Sequence, residues 1–320
     1  MGRAFVFPGQ GSQAVGMGAA LAEAFAPARL VFEEVDDALA QRLSRLMFEG
    51  PEDQLTLTEN AQPALMAVSL AVVRVLEHEA GIALGAKADL VAGHSLGEYS
   101  ALAAVGTLEL ADAARLLKRR GQAMQEAVPV GVGAMAALLG LDLEAAAEVA
   151  AEAAAGTEPG AEPQVCAPAN DNAPGQVVVS GHKAAVERAV ALAGARGAKR
   201  CIMLPVSAPF HCALMAPAAE VMAEALAAVT LRPPQVPLVA NVTAAPVTSP
   251  EEIRRLLVEQ VTGMVRWRES VLAMKAAGID TLVELGAGKV LSGLARRIDR
   301  ELTGTAAGTP EDVEALVKSL

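Results

Sequence analysis

Short apolar runs alternate along the chain with segments whose apolar positions recur at helical spacing. Residues 3–7 (Arg3-Ala4-Phe5-Val6-Phe7) are one such run, closed by Pro8-Gly9-Gln10-Gly11-Ser12. Apolar residues followed by Pro and Gly predict a strand running into a tight turn. A helix is expected to start near Met17. Residues 63–77 show helical periodicity with few breakers, residues 88–92 a short buried-strand pattern, and residues 96–105 a helix again. Strand, turn and helix in succession predict an α/β arrangement with a mostly parallel sheet.

The middle of the chain has a different rhythm. Residues 133–139 read as a strand and residues 143–155 as an Ala/Glu-rich helix. A polar stretch with Pro and Gly covers residues 156–175, and residues 164–167 within it are a further candidate strand. Then come a strand (176–180), a helix (183–195) and a strand (199–204). The order β-α-β-β-α-β is that of a ferredoxin-like α+β unit. It is expected as a small insert over residues 129–201, with residues 1–128 and 202–320 forming the larger unit. The larger unit resumes with a strand at 238–241, helices at 250–261 and 268–277, a strand at 281–285 and the turn Gly286-Ala287-Gly288-Lys289 into another helix. After Leu302 a Gly- and Thr-rich tail precedes a short terminal helix. No internal repeat is visible.

Composition narrows this picture. Of 320 residues, 53% are hydrophobic but only 2% aromatic, so the core must be built from Ala, Leu, Val and Met. A net charge of −11 argues against nucleic acid as a partner, because phosphates would be repelled. The three cysteines, Cys166, Cys201 and Cys212, are scattered and lack metal-ligand spacing. No disulfide framework, metal or cofactor is expected, and a reducing compartment is the simpler reading. No signal-peptide pattern opens the chain, and the apolar stretch at residues 64–76 is shorter than the roughly 20 residues that span a bilayer. A cytoplasmic protein without a membrane partner is expected.

The chemistry centres on Gly93-His94-Ser95-Leu96-Gly97, a G-x-S-x-G pattern between a predicted strand and a predicted helix. A serine on so sharp a turn needs glycines two residues to either side. The following helix N-terminus favours developing negative charge. The elbow makes the larger unit a hydrolase-like α/β domain carrying the ferredoxin-like insert. The serine needs a base. Among four histidines, His78 lies on a charged helix face, His182 sits between strand and helix where a cap or surface role is expected, and His94 adjoins the serine and is a candidate pocket wall. His211, in Ser207-Ala208-Pro209-Phe210-His211-Cys212, follows a strand, where a loop could carry it over the elbow; a buried core histidine is the alternative.

These residues resemble the malonyl-CoA:acyl carrier protein transacylases and the related acyltransferase domains of polyketide and fatty acid synthases. The resemblance covers nearly the whole chain. Its motifs are Phe5-Val6-Phe7-Pro8-Gly9-Gln10-Gly11-Ser12-Gln13, Gly93-His94-Ser95-Leu96-Gly97-Glu98, residues 131–137, Asn172-Ala173-Pro174-Gly175-Gln176-Val177 and residues 286–291. It implies Ser95 as nucleophile and His211 as base. Gln10 and Leu96 match positions whose backbone N–H groups form the oxyanion hole. Arg120 matches the arginine that binds the malonyl carboxylate, whereas composition alone would place it in a solvated basic run, Lys118-Arg119-Arg120. Gln260 matches a position whose backbone carbonyl orients the histidine, so no catalytic Asp is nominated.

Two departures stand out: Phe210 where the simple bacterial enzymes often carry a smaller residue, and Ala287 in place of a common proline. Phe210 bears on substrate choice if it meets the acyl chain, and on packing alone if it does not. The resemblance implies malonyl-CoA and acyl carrier protein as partners. Lys183, Lys199 and Lys289 are docking candidates, each equally readable as an ordinary surface lysine, and a monomer is expected. The alternatives are a trans-acting acyltransferase of polyketide synthesis, a serine esterase or thioesterase sharing Ser95 and His211, or a non-catalytic docking module.

Overall fold

Alternation along the first strand sorts the core of the larger unit. Phe5 and Phe7 point to one face of a sheet, into a cluster with Leu65, Val91 and Leu102. Ala4 and Val6 point to the other, against Trp267, Leu282 and Leu291. The period of two is that of a strand buried on both faces. The computed structural model describes residues 2–156 and 164–320. Of the polar stretch read at 156–175, residues 157–163 lie outside the described residues.

The described strands are β1 (Gly2–Phe7), β2 (Leu90–Gly93), β3 (Gly133–Leu139), β4 (Cys166–Ala173), β5 (Gln176–His182), β6 (Arg200–Met203), β7 (Leu238–Ala240), β8 (Ala245–Val247), β9 (Ile279–Leu285) and β10 (Thr303–Ala307). Six form a sheet in the order β10-β9-β1-β2-β7-β8. All its pairings are parallel except β7 with β8. The mostly parallel α/β sheet predicted from the pattern is therefore observed. The other four strands form an antiparallel sheet, β4-β5-β3-β6. Helices Leu143–Ala155 and Lys183–Ala195 cover one of its faces. Met135, Ala137 and Val178 on the other face join the core of the larger unit. This is the ferredoxin-like βαββαβ order. Its last strand ends at Met203, two residues beyond the expected boundary.

Helix Thr58–Ala80 buries nearly its whole circumference, including Gln62, Leu65, Val68, Ser69 and Val72. A helix apolar on all sides belongs inside. Several elements lie where no element was expected, among them helices Leu43–Glu49 and Ala216–Ala227, strand β8 and the following three. Helix Ala26–Leu39 turns Ala28, Val31, Phe32 and Val35 inward at i, i+3, i+4, i+7 spacing. Helix Leu110–Glu126 carries Arg120 on its buried face beside Gly121 and Met124, while Arg119 is exposed. The solvated basic run is thus corrected at that one position. The Gly/Thr tail supplies β10, an edge strand held by its register on β9. Its residues read as loop because the pairing partner is distant in sequence.

Candidate active site

β2 ends at Gly93, and the chain turns sharply into helix Gly97–Ala104. Ser95 sits in the turn with φ at 54°, the left-handed region that a non-glycine residue enters only when held there. The flanking glycines are required by contact. A Cβ on Gly93 would lie 1.9 Å from the Gly97 carbonyl carbon, and one on Gly97 2.2 Å from the Phe7 oxygen. His94 N–H donates to Phe7 O at 3.0 Å, fastening the elbow to the end of β1. Gln10, in the turn after β1, lines the same cavity as Leu96 and Ser95. Among the described residues, neither the Gln10 N–H nor the Leu96 N–H has a protein acceptor. The two are free to serve an oxyanion.

His211 comes from the loop after β6 and also has a positive φ, 58°. Its Nε2 lies 2.8 Å from Ser95 Oγ. Nδ1 faces the carbonyls of Gln260 at 2.9 Å and Gly263 at 3.1 Å. Carbonyls only accept, so Nδ1 carries the proton and Nε2 is the bare nitrogen turned to the serine hydroxyl. Burial, and next the charge on Arg120, push the His211 pKa down to about 3. The imidazole is neutral at neutral pH, the state a general base requires.

Arg120 is 1% exposed. Nη1 donates to Gln62 Oε1 at 2.7 Å, and Nη2 donates to Gln260 Oε1 at 2.9 Å and to Ser95 Oγ at 3.1 Å. Among the described residues no carboxylate pairs with it, and its Nε has no partner. Burial lowers its pKa from the ordinary value, yet an arginine starts so high that it stays charged. Glu98 reaches it only through Gln260, whose Nε2 donates to Glu98 Oε2 and, at 3.0 Å, to Ser95 O. Burial pushes Glu98 up to about 8, so near neutrality the site keeps net positive charge. A buried cation without a counter-ion is costly unless a ligand supplies one.

The remaining expectations sort plainly. His94 lines the cavity and hydrogen-bonds through Nε2 with Asn172 Oδ1 at 2.8 Å. Phe210 is 8% exposed and lines the cavity as well as packing on the core. His78 is exposed, and His182 caps a strand end by accepting the Val165 N–H at 2.8 Å. Lys183, Lys199 and Lys289 are exposed and away from the cavity, and Lys289 faces Asp312 at 3.6 Å. Three residues of the site went unnoticed in the sequence, Gln62, Asn241 and Thr58, which donates to Gln10 Oε1 at 2.7 Å, and Glu98 was read as part of the elbow motif without a role. Gln62 carried no signal, because it stands just before the periodic run at 63–77, among Thr58, Glu59 and Asn60. The cavity encloses about 450 Å³, room for an acyl thioester and part of its carrier arm.

The acyl transferase domain family matches residues 4–310. The malonyl CoA-acyl carrier protein transacylase of Bacillus subtilis is 47% identical over 317 residues, covering 99% of this chain and 96% of that one. The enzyme of the same name from Escherichia coli K12 is 48% identical and covers 98% of each. This chain belongs to the malonyl-CoA:acyl carrier protein transacylase family. A solved member from Bartonella henselae, an acyl-carrier-protein S-malonyltransferase, superposes with a TM-score of 0.95 at 56% identity, covering 100% of this chain and 99% of that one. A malonyl-transacylase solved with a type II polyketide acyl-carrier protein gives 0.94 at 43% identity, with both chains fully covered. The transacylase fold thus accounts for both sheets, and the five motifs read from the sequence fall within the matched residues.

Proposed function

We propose that the protein moves the malonyl group of malonyl-CoA to the phosphopantetheine thiol of an acyl carrier protein and so supplies fatty acid synthesis. Ser95 Oγ attacks the thioester carbonyl while its proton passes to His211 Nε2. The oxyanion is held by the N–H groups of Gln10 and Leu96, each contributing about 3 kcal/mol to lowering the barrier. The C–S bond breaks, coenzyme A leaves with the proton, and malonyl-Ser95 remains. The carrier thiol repeats the sequence in reverse, so the kinetics are ping-pong. Gln260 orients His211 through its carbonyl, and His94 and Phe210 are walls of the pocket. Residues 1–128 and 204–320 form the catalytic unit, and 129–203, the insert extended to the end of β6, lends Met135 and Asn170 to the cavity.

The observation that carries this reading is Arg120, buried without a carboxylate and 3.1 Å from the nucleophile. In a malonyl ester the free carboxylate is one methylene from the carbonyl. A guanidinium that close to Oγ suits this short dicarboxylic acyl group, and its planar fork can bind the carboxylate through two hydrogen bonds. An esterase needs no such cation. A cytoplasmic location belongs to the same reading, in keeping with three free cysteines. No described helix is long and apolar enough to cross a membrane. The similarity to a transacylase bound to a polyketide carrier supports a second carrier class, which a panel of carrier proteins distinguishes by transfer rate.

The experiment is exposure to malonyl-CoA without any thiol acceptor, followed by peptide mass mapping. A malonyl adduct on Ser95 that persists and discharges on adding holo-carrier is the expected result. Absence of the adduct, or its location on another residue, refutes the proposal. Ser95→Ala should abolish it.

A further inference from the structure

We propose that Asn241 is a positioning residue for the nucleophile, its carboxamide stapling both sides of the elbow while Glu98 holds it in place. The inference rests on Ser95 being the nucleophile. Asn241 follows β7, the parallel neighbour of β2, so the fold sets it beside the strand end that carries the elbow. It is wholly buried. Oδ1 accepts the Ser95 N–H at 2.8 Å, and Nδ2 donates to Gly93 O at 2.7 Å. Its own N–H donates to Glu98 Oε1 at 2.6 Å, and its carbonyl accepts the Arg266 N–H at 3.0 Å.

Every polar group of this buried amide is therefore engaged, which is what keeps its burial from being destabilising. The two side-chain bonds grip the backbone on either side of His94, across the residue that leads into the strained turn. Without them the Ser95 N–H and Gly93 carbonyl would be left unpaired in the interior, and the left-handed φ of Ser95 would lose its restraint. Because the Ser95 N–H is occupied by Asn241, the elbow offers the oxyanion the Leu96 N–H instead. Gln260 ties the same frame to the base: its Nε2 donates to Ser95 O and Glu98, and its carbonyl faces His211. Asn241 does not line the active-site cavity, so it acts on the reaction through the elbow backbone rather than on the substrate.

Asn241→Ala and Asn241→Asp test this, read by the rate at which a serine-reactive organophosphonate labels Ser95 and by single-turnover malonyl transfer. The phosphonate arm stands even if malonyl-CoA proves not to be the donor. Asn241→Ala should slow both reactions about a hundredfold, with malonyl-CoA affinity changed less than threefold because Arg120 is untouched. Asn241→Asp separates positioning from bulk packing. As a neutral acid, aspartic acid can accept from Ser95 N–H and donate to Gly93 O; as an anion it repels that carbonyl. Of the charged and titratable groups around it, Glu98 accepts its N–H and Arg266 lies on its carbonyl side. Arg120 and His211 are one residue further off, beyond Gln260 and Ser95, and His94 is the residue its two side-chain bonds straddle. At pH 5 the Asp variant, normalised to wild type, should exceed the Ala variant at least tenfold, and the margin should narrow by pH 8. An Ala variant within threefold of wild type, or an Asp variant no better than Ala at pH 5, overturns the proposal.

Discussion

At the scale of single residues the site is a problem of charge. Arg120 lies buried beside Ser95 over the Tyr99 ring, and among the described residues only amides and a hydroxyl accept its hydrogen bonds. Arg120→Ala should lower kcat/KM for malonyl-CoA roughly a hundredfold or more, since losing a buried charge-assisted pair costs about 3–5 kcal/mol. Acetyl-CoA, without a carboxylate, should lose less than tenfold. Equal losses would remove Arg120 from the acyl pocket. Phe210, at the cavity wall beside His211, should crowd the branch methyl of methylmalonyl. Phe210→Ser should raise the methylmalonyl-to-malonyl ratio of kcat/KM about tenfold or more, the usual worth of one methyl in a pocket. An unchanged ratio in a folded variant would make Phe210 a packing residue only.

The elements deliver these residues through close backbone approaches. Arg120 reaches the cavity because helix Leu110–Glu126 lies tight against helix Thr58–Ala80 at Gly121. A Cβ there would sit 2.4 Å from Glu59 Cα. Gly121→Ala sets two effects against each other. Alanine favours a helix interior over glycine by about 1 kcal/mol, whereas overpacking against backbone costs about 1–3 kcal/mol. Overpacking should win, because backbone cannot swing aside as a side chain can. Thermal unfolding should show a lower Tm, and the malonyl-to-acetyl preference should fall as Arg120 is displaced. A raised Tm with unchanged preference would show that the helices tolerate the methyl. Local pattern did not reveal the inward arginine, because a basic run at a helix end ordinarily marks a solvated face.

Across the whole molecule the two most perturbed acids and bases of the site oppose each other in pH. His211 is held at about 3, below its ordinary 6.5, so between those values only the unfolded chain binds the proton and stability is lost as pH falls. Glu98 is raised to about 8 from an ordinary 4.5, so between those values the folded chain keeps the proton and stability is lost as pH rises. Between pH 4.5 and 6.5 the two slopes offset each other, and His94, also lowered by burial, leaves Tm falling gently as pH falls. It should decline towards pH 8 and more steeply below 4.5. Glu98→Gln should remove the alkaline decline. A wild-type Tm that rises from pH 6.5 to 8 would contradict the buried neutral Glu98.

Apolar period and turn residues by themselves determined the parallel α/β sheet, the order of the inserted unit and the elbow at Ser95. These are local properties, dictated by side-chain alternation and by the glycines that a sharp turn needs. The motif resemblance settled on His211, already a candidate base from its place after a strand, and added Arg120, Gln10, Leu96 and Gln260 without saying how they meet. Only the tertiary structure decided that His211 faces Ser95 across 116 residues of chain, that Arg120 turns inward, and that Asn241 clasps the elbow from the next strand. Such contacts depend on which strands become neighbours and on which polar groups are buried together, and neither is written in any short stretch of sequence.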